Sequence, residues 1–244
     1  MLQIGAAAFL LSGAAIADSV DLSTWSANGS AGNWVLQGSN DSVKQTVNTT
    51  RPTFFHNGTD SQGLVLSGSI TVTGSDDDFI GFVLGYNDGD NANSSADYIL
   101  IDWKRGNQLN GTAGLAISQV TGSLDYGSHE TNGAWTHTNN VNELARATTL
   151  GSTGWVQNQE YTFDLIFTST LIKVFVDGVE ELSISGIFSN GSFGFYNLSQ
   201  AGVTYAGIEQ NIAPAVPVPA ALFMFAPALL GFMGLRRKAK ATIA

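Results

Sequence analysis

From residue 18 to about residue 210 the chain alternates apolar and polar residues with a period of two, and helical periodicity is almost absent. In GLVLSGSITVTG, Leu64, Leu66, Ile70 and Val72 fall on one face, while Val65, Ser67, Ser69 and Thr71 fall on the other. In EYTFDLIFTS, Tyr161, Phe163, Leu165 and Phe167 oppose Thr162, Asp164, Ile166 and Thr168. LIKVFVDGVEELSI predicts a hairpin, because Asp177-Gly178 supplies a two-residue turn that accepts positive φ. FIGFVLGY and YILIDW are apolar on both faces, which places them in the middle of a sandwich. SFGFYNL and GVTYAGIE add shorter strands, and residues 18–45 add one or two more around Trp25 and Trp34. Nine or more strands with no helix between them predict an all-β fold, an antiparallel β-sandwich or jelly roll. Residues 122–154 are less regular and are expected to cross one face of the sandwich as a long excursion, where sites tend to sit.

Composition narrows the chemistry. The chain has no cysteine, so disulfides, thiolate metal sites and cysteine nucleophiles are excluded. All 20 acidic residues lie between residues 18 and 209, where only six of the ten Lys and Arg fall, a balance of −14. Such a surface disfavours nucleic acid and anionic membranes. A divalent cation or a neutral polymer suits it better. Eight Asn-x-Ser/Thr triplets occur and read as turn residues between strands.

Both ends carry targeting patterns. The apolar run Ile4–Ile16 closes on Ala15-Ile16-Ala17, a signal-peptide core followed by a small-x-small cleavage site after residue 17. No Lys or Arg precedes it. At the other end, a Pro/Ala linker over residues 211–219 leads into an uncharged segment at residues 220–235 and a basic tail at residues 236–244. With Val218 and Pro219 the apolar run would extend about 27 Å as a helix at ~1.5 Å per residue, enough to just span a bilayer core of ~30 Å. The basic cluster Arg236, Arg237 and Lys238 would remain cytoplasmic. Val216, Pro217, Val218, Pro219 and Ala220, the short apolar helix and the Arg-Arg-Lys cluster together resemble the PEP-CTERM sorting signal of Gram-negative, exopolysaccharide-producing bacteria. Val218 stands where the name-giving motif has Glu. The resemblance implies an inner-membrane-anchored precursor, cleavage by an exosortase near residues 216–219, and delivery to the cell surface or matrix. An ordinary membrane anchor is the simpler alternative.

Three further segments, DDDFIGFVLGY, YILIDWKRGNQ and GSFGFYNLSQAGVTYAGIE, are similar to the lectin-like C-terminal domain of thrombospondins. That resemblance implies a concanavalin A-like jelly roll over residues 18–210, related to legume-lectin and laminin-G sandwiches. The family's cysteines and its preceding aspartate-rich repeats are absent, and the loop NDGDNANSSAD is longer.

Of the chemical candidates, Asp76, Asp77 and Asp78 are the sharpest. Three adjacent carboxylates repel one another, and read alone they are either a metal site or a solvated turn. The thrombospondin resemblance implies a Ca²⁺-binding turn. Asp88, Asp90 and Asp97 lack the EF-hand pattern and read as solvated. Glu180-Glu181 are adjacent on a strand, so they point to opposite faces and do not form a glycosidase pair. No Gly-x-Ser-x-Gly elbow occurs, and His56, His129 and His137 are scattered. Trp135, Trp155 and Tyr126 are candidate sugar-stacking rings, whereas Trp103 belongs to the core. The sequence therefore reads as an exported Ca²⁺-dependent binding or structural protein of an exopolysaccharide or biofilm matrix, with polysaccharide or matrix proteins as partners. A carbohydrate-active enzyme and a ligand-free coat protein are the alternatives.

Overall fold

A computed structural model describes residues 18–29 and 32–213. In chain order the strands are β1 (Asp18–Ser19), β2 (Ser26–Gly29), β3 (Trp34–Gln37), β4 (Ser42–Gln45), β5 (Thr53–His56), β6 (Leu64–Val72), β7 (Phe79–Tyr86) and β8 (Asp97–Lys104). They continue with β9 (Gly114–Thr121), β10 (Val141–Arg146), β11 (Glu160–Phe167), β12 (Leu171–Val176), β13 (Val179–Ser185), β14 (Ser192–Leu198) and β15 (Val203–Ile212). One sheet runs β13-β12-β11-β6-β15-β4-β3, with β1 also on β15. The other has seven strands, β10-β9-β8-β7-β14-β5-β2. All the pairings of both sheets are antiparallel.

The two-residue period decides what fills the space between the sheets. Leu66, Ile70 and Val72 of β6 and Tyr161, Phe163, Leu165 and Phe167 of β11 are buried as their alternation requires. Across the gap they meet Phe82, Ile101, Trp103 and Phe195. Phe195 of β14 stacks on Tyr205 of β15 at 4.1 Å between centroids, and Phe82 meets Phe163 at 4.5 Å. The Asp177-Gly178 hairpin forms as expected, with φ of 49° and 76°. The start of the chain holds more strands than the expected one or two. The segment around Trp34 becomes the outer strand β3 and its neighbour β4.

β7 and β8 sit centrally in the seven-stranded sheet, and a second apolar cluster explains their two apolar faces. It lies on the side away from the first core and joins Phe54, Phe79, Tyr98, Leu100 and Tyr196 to Leu124, Ala134, Trp135 and Val141. The last four belong to the irregular stretch, which is an excursion over this outer face. It contains a 3₁₀ turn at His129–Thr131, the one-turn helix α1 (Gly133–Thr136) and β10, a strand the sequence pattern did not reveal. β10 pairs with β9 through a register shift at Leu144, where two steps along β10 match one along β9.

No helix among the described residues is long and apolar enough to cross a membrane. The segments read as signal peptide, sorting motif, membrane helix and basic tail, from Ala15 and Ala17 to Val216–Ala220 and Arg236–Lys238, lie outside the described residues.

Candidate functional site

The acidic turn enters β7. One oxygen from each of Asp76, Asp77 and Asp78 comes within 4.8 Å of the others, and no other such group of His, Asp or Glu occurs among the described residues. Simple alternation would have sent Asp77 away from its neighbours. The turn departs from extended geometry and brings all three together. Asp76 Oδ2 accepts from Asn48 Nδ2 at 2.6 Å, and Asp76 Oδ1 caps the Asp77 amide at 3.0 Å. Gln200 Oε1 accepts from the Asp78 amide at 3.2 Å.

Lys104 supplies the compensation that the charge cluster demands. It is fully buried on β8, and its Nζ donates to Asp78 Oδ1 at 2.5 Å and to the Asp77 carbonyl at 3.2 Å. The ammonium also lies 4.6 Å from the Trp135 ring and 5.0 Å from the Phe79 ring. Burial pushes the Asp78 carboxyl up, and the Lys104 charge opposes that shift. Asp78 is thus committed to Lys104, whereas Asp76 and Asp77 are half-buried. The candidate ligand atoms are carboxylate oxygens, which suit a hard cation such as Ca²⁺, and they are held by the Asn48 amide N–H on Asp76 and by Lys104 on Asp78.

Trp135 and Trp155 correct the sugar-stacking expectation. Each is 1% exposed, so neither presents a ring face to a ligand. Both brace the acidic turn instead. Trp155 Nε1 donates to the Asp78 carbonyl at 3.0 Å, and Trp135 underlies Lys104 while its Nε1 reaches the carbonyls of Gln108 and Leu109 at 3.2 Å. Tyr126 is half-buried; its hydroxyl accepts from the Gly133 amide, and its ring packs on the second cluster. Trp103 is core, as expected.

The second acidic loop is structural. Asp90 is buried and accepts from the Asn87 amide, Asn87 Nδ2 and Asn93 Nδ2, which closes the turn. Glu180 pairs with Lys173, whereas Glu181 turns inward to the Thr149 hydroxyl and the amides of Thr149 and Leu150. His56 is buried against Ser192, and burial lowers its basicity. His137 is bracketed by two carboxylates, with Nε2 2.9 Å from Asp102 and Nδ1 2.6 Å from Glu143. Burial alone would push its pKa down, but the two carboxylates outweigh that and raise it to about 9. Asp102 is 1% exposed behind the imidazole, so this pair of carboxylates cannot flank a scissile bond.

Sequence reasoning missed Lys104, Asp102 and Glu143. The first two carried a signal, because charges at alternate positions of a strand whose same face also bears Tyr98 and Leu100 must be buried and paired. Glu143 had none, since β10 itself was not visible.

Two antiparallel sheets packed face to face, with an acidic turn entering a central strand, make a jelly-roll-like sandwich of the kind seen in lectin folds. A family model of the thrombospondin C-terminal region matches residues 29–213, and the chain belongs to that family. Zebrafish (Danio rerio) thrombospondin-4-B is 25% identical over 205 residues, covering 76% of this chain and 21% of the relative. The chain therefore spans about a fifth of the length of that relative. Among solved structures, the carbohydrate-binding module CBM66 from Bacillus subtilis aligns with a TM-score of 0.53 at 12% identity, covering 77% of this chain and 95% of that one. The exoplasmic/lumenal domain of VIP36 in its Ca²⁺-bound form aligns with a TM-score of 0.51 at 15% identity, covering 80% and 86%. At these identities the structural likeness concerns the fold alone.

Proposed function

We propose that this protein is an exported binding module, not an enzyme, that holds Ca²⁺ at the Asp76–Asp78 turn and engages polysaccharide or protein of an extracellular matrix. The convergence of three carboxylates within 4.8 Å of one another carries the calcium reading. Membership of the thrombospondin family supports an extracellular, adhesive role, and the Ca²⁺-bound VIP36 domain shares the fold. Asp76 and Asp77, without an ion pair of their own among the described residues, would supply carboxylates, with Asp78 held in place by Lys104. In millimolar Ca²⁺ the melting temperature of the full chain should rise by several degrees, and the rise should vanish in the Asp76→Asn, Asp77→Asn double variant. Identical melts with Ca²⁺ and with chelator would sink the calcium reading.

The sorting of the chain is a separate part of the proposal and rests on its sequence motif. An exosortase would cleave the inner-membrane-anchored precursor near residues 216–219 and release a surface or biofilm-matrix protein. Mass spectrometry of the cell-associated mature form should end near residue 219. An intact basic tail would instead mark a plain anchor.

A further inference from the structure

Beside α1, on the outer face of the seven-stranded sheet, lies a cavity of about 280 Å³. Phe79 and Trp135, each 1% exposed, underlie it, and its polar lining comes from Asn110, Thr112, Thr136, Glu143 and Arg146, with His137 alongside. The acidic turn contributes none of the lining residues.

Which ligand suits it follows from which hydrogen-bonding groups are already spent. Arg146 has five N–H donors. Nε goes to Glu143 Oε1 at 3.2 Å, and Nη1 goes to the carbonyls of Ala113 at 3.1 Å and Gly151 at 3.0 Å. Nη2 goes to Thr112 Oγ1 at 2.5 Å and Glu143 Oε2 at 2.9 Å. The guanidinium therefore has no free fork for a phosphate or carboxylate. His137 is likewise spent between Asp102 and Glu143. The two cations and two carboxylates balance, so the cavity selects neither an anion nor a cation.

Three kinds of group remain. Glu143, 31% exposed, keeps acceptor capacity on Oε1. Thr112 accepts from Arg146, which leaves its hydroxyl proton to donate. Asn110 presents an exposed side-chain amide that both donates and accepts. The backbone is held to deliver that amide. Leu109 and Asn110 have φ of 48° and 67°, and for leucine this left-handed conformation is costly. Trp135 holds the same loop through the Gln108 and Leu109 carbonyls. Hydroxyl groups donate and accept in turn, and a ring bearing adjacent hydroxyls matches this mixed lining. The volume lies just under the ~300 Å³ where pockets for drug-sized ligands begin, and it suits one such ring.

We infer that this cavity is a subsite for one neutral sugar residue, contacted by Asn110, Thr112 and Glu143 and kept in shape by Arg146 and His137. The inference rests on the reading of the module as a saccharide binder and locates the sugar away from the acidic turn.

The test is saturation-transfer NMR and calorimetry on the full chain. The probes are D-glucose, D-galactose, D-mannose, D-fructose and L-rhamnose, with glucose 6-phosphate and glucuronate as charged comparators. A neutral sugar should bind, and the charged comparators should bind at least tenfold more weakly. Asn110→Gly keeps the left-handed backbone while removing the amide, so the melt should hold and affinity should fall about tenfold. Glu143→Gln should weaken binding by at least as much. Chelator should leave binding unchanged, so a failed calcium melt and a failed sugar titration are separate results. Binding that survives both substitutions, or is lost only to chelator, would put the sugar elsewhere on the module and overturn the subsite. So would preferential binding of a charged comparator or no binding by any neutral sugar of the panel.

Discussion

The two faces of the seven-stranded sheet are both buried, yet they are built from different materials. The inner face carries Ile80, Phe82, Ile99, Ile101 and Trp103, and it meets the second sheet with hydrocarbon and aromatic rings. The outer face mixes Phe54, Phe79 and Leu100 with Tyr98, Asp102, Lys104, Ser118 and Tyr196. Polar groups on the two sides fare differently. The Tyr205 hydroxyl, reaching from the second sheet, meets Gly81 N and O, the Tyr196 carbonyl and Asn197 Oδ1. On the outer face Tyr98 Oη, Asp102 Oδ1, Ser118 Oγ and Tyr196 Oη are buried without a protein partner, whereas among the described residues the inner face of this sheet has only Asn197 Nδ2 in that condition. One face is optimised for cohesion, whereas the other tolerates polar groups under a cover of irregular chain, where the candidate sites gather.

Breaking the inner face should cost most. Phe195→Ala removes a fully buried ring that stacks on Tyr205, and a loss of about 3–5 kcal/mol is expected in urea unfolding. A loss below ~1 kcal/mol would contradict the cohesive role of this layer.

The next effect belongs to the outer face and depends on pH. His137 is raised to about 9 in the folded chain, above its ordinary unfolded value of ~6.5. Its ion pairs therefore stabilise fully below pH ~6.5, and that contribution is lost as pH rises through 9. The imidazole is only 8% exposed, and a loss on the order of 2–3 kcal/mol between pH 6 and pH 9.5 is expected. His137→Gln should flatten that slope, and equal slopes in the two proteins would exclude His137 as its source.

The smallest effect is the sharpest comparison. Tyr205→Phe deletes a hydroxyl with several partners and should cost about 1–2 kcal/mol. Tyr196→Phe deletes one with no protein partner and should be neutral or slightly stabilising. Equal losses in the two variants would erase the distinction between the faces.

This contrast also explains what the sequence made legible. The inner core followed from alternation, because each strand needs only its own residues to state which side is apolar. The Asp177-Gly178 hairpin and the acidic entry to FIGFVLGY were visible for the same local reason. β10 was not visible, because VNELAR carries little apolar alternation and its Glu143 and Arg146 take their meaning from partners on the 105–113 loop and from His137, just after α1. Trp135 and Trp155 misled because tryptophan in an irregular segment looks the same whether it braces a turn or meets a ligand. Only the long-range contacts with Asp78 and Lys104 separate the two roles.

The register shift at Leu144 has a consequence for how the seven-stranded sheet ends. β10 ends the seven-stranded sheet, and a straight, unpaired edge is a template for strand addition by a neighbouring molecule. The bulge breaks the repeat of that edge, and Arg146 at the end of β10 is tied to the Ala113 and Gly151 carbonyls. An edge interrupted in this way offers a second strand only a short stretch of regular pairing, so the sheet ends at β10 instead of continuing into a neighbour.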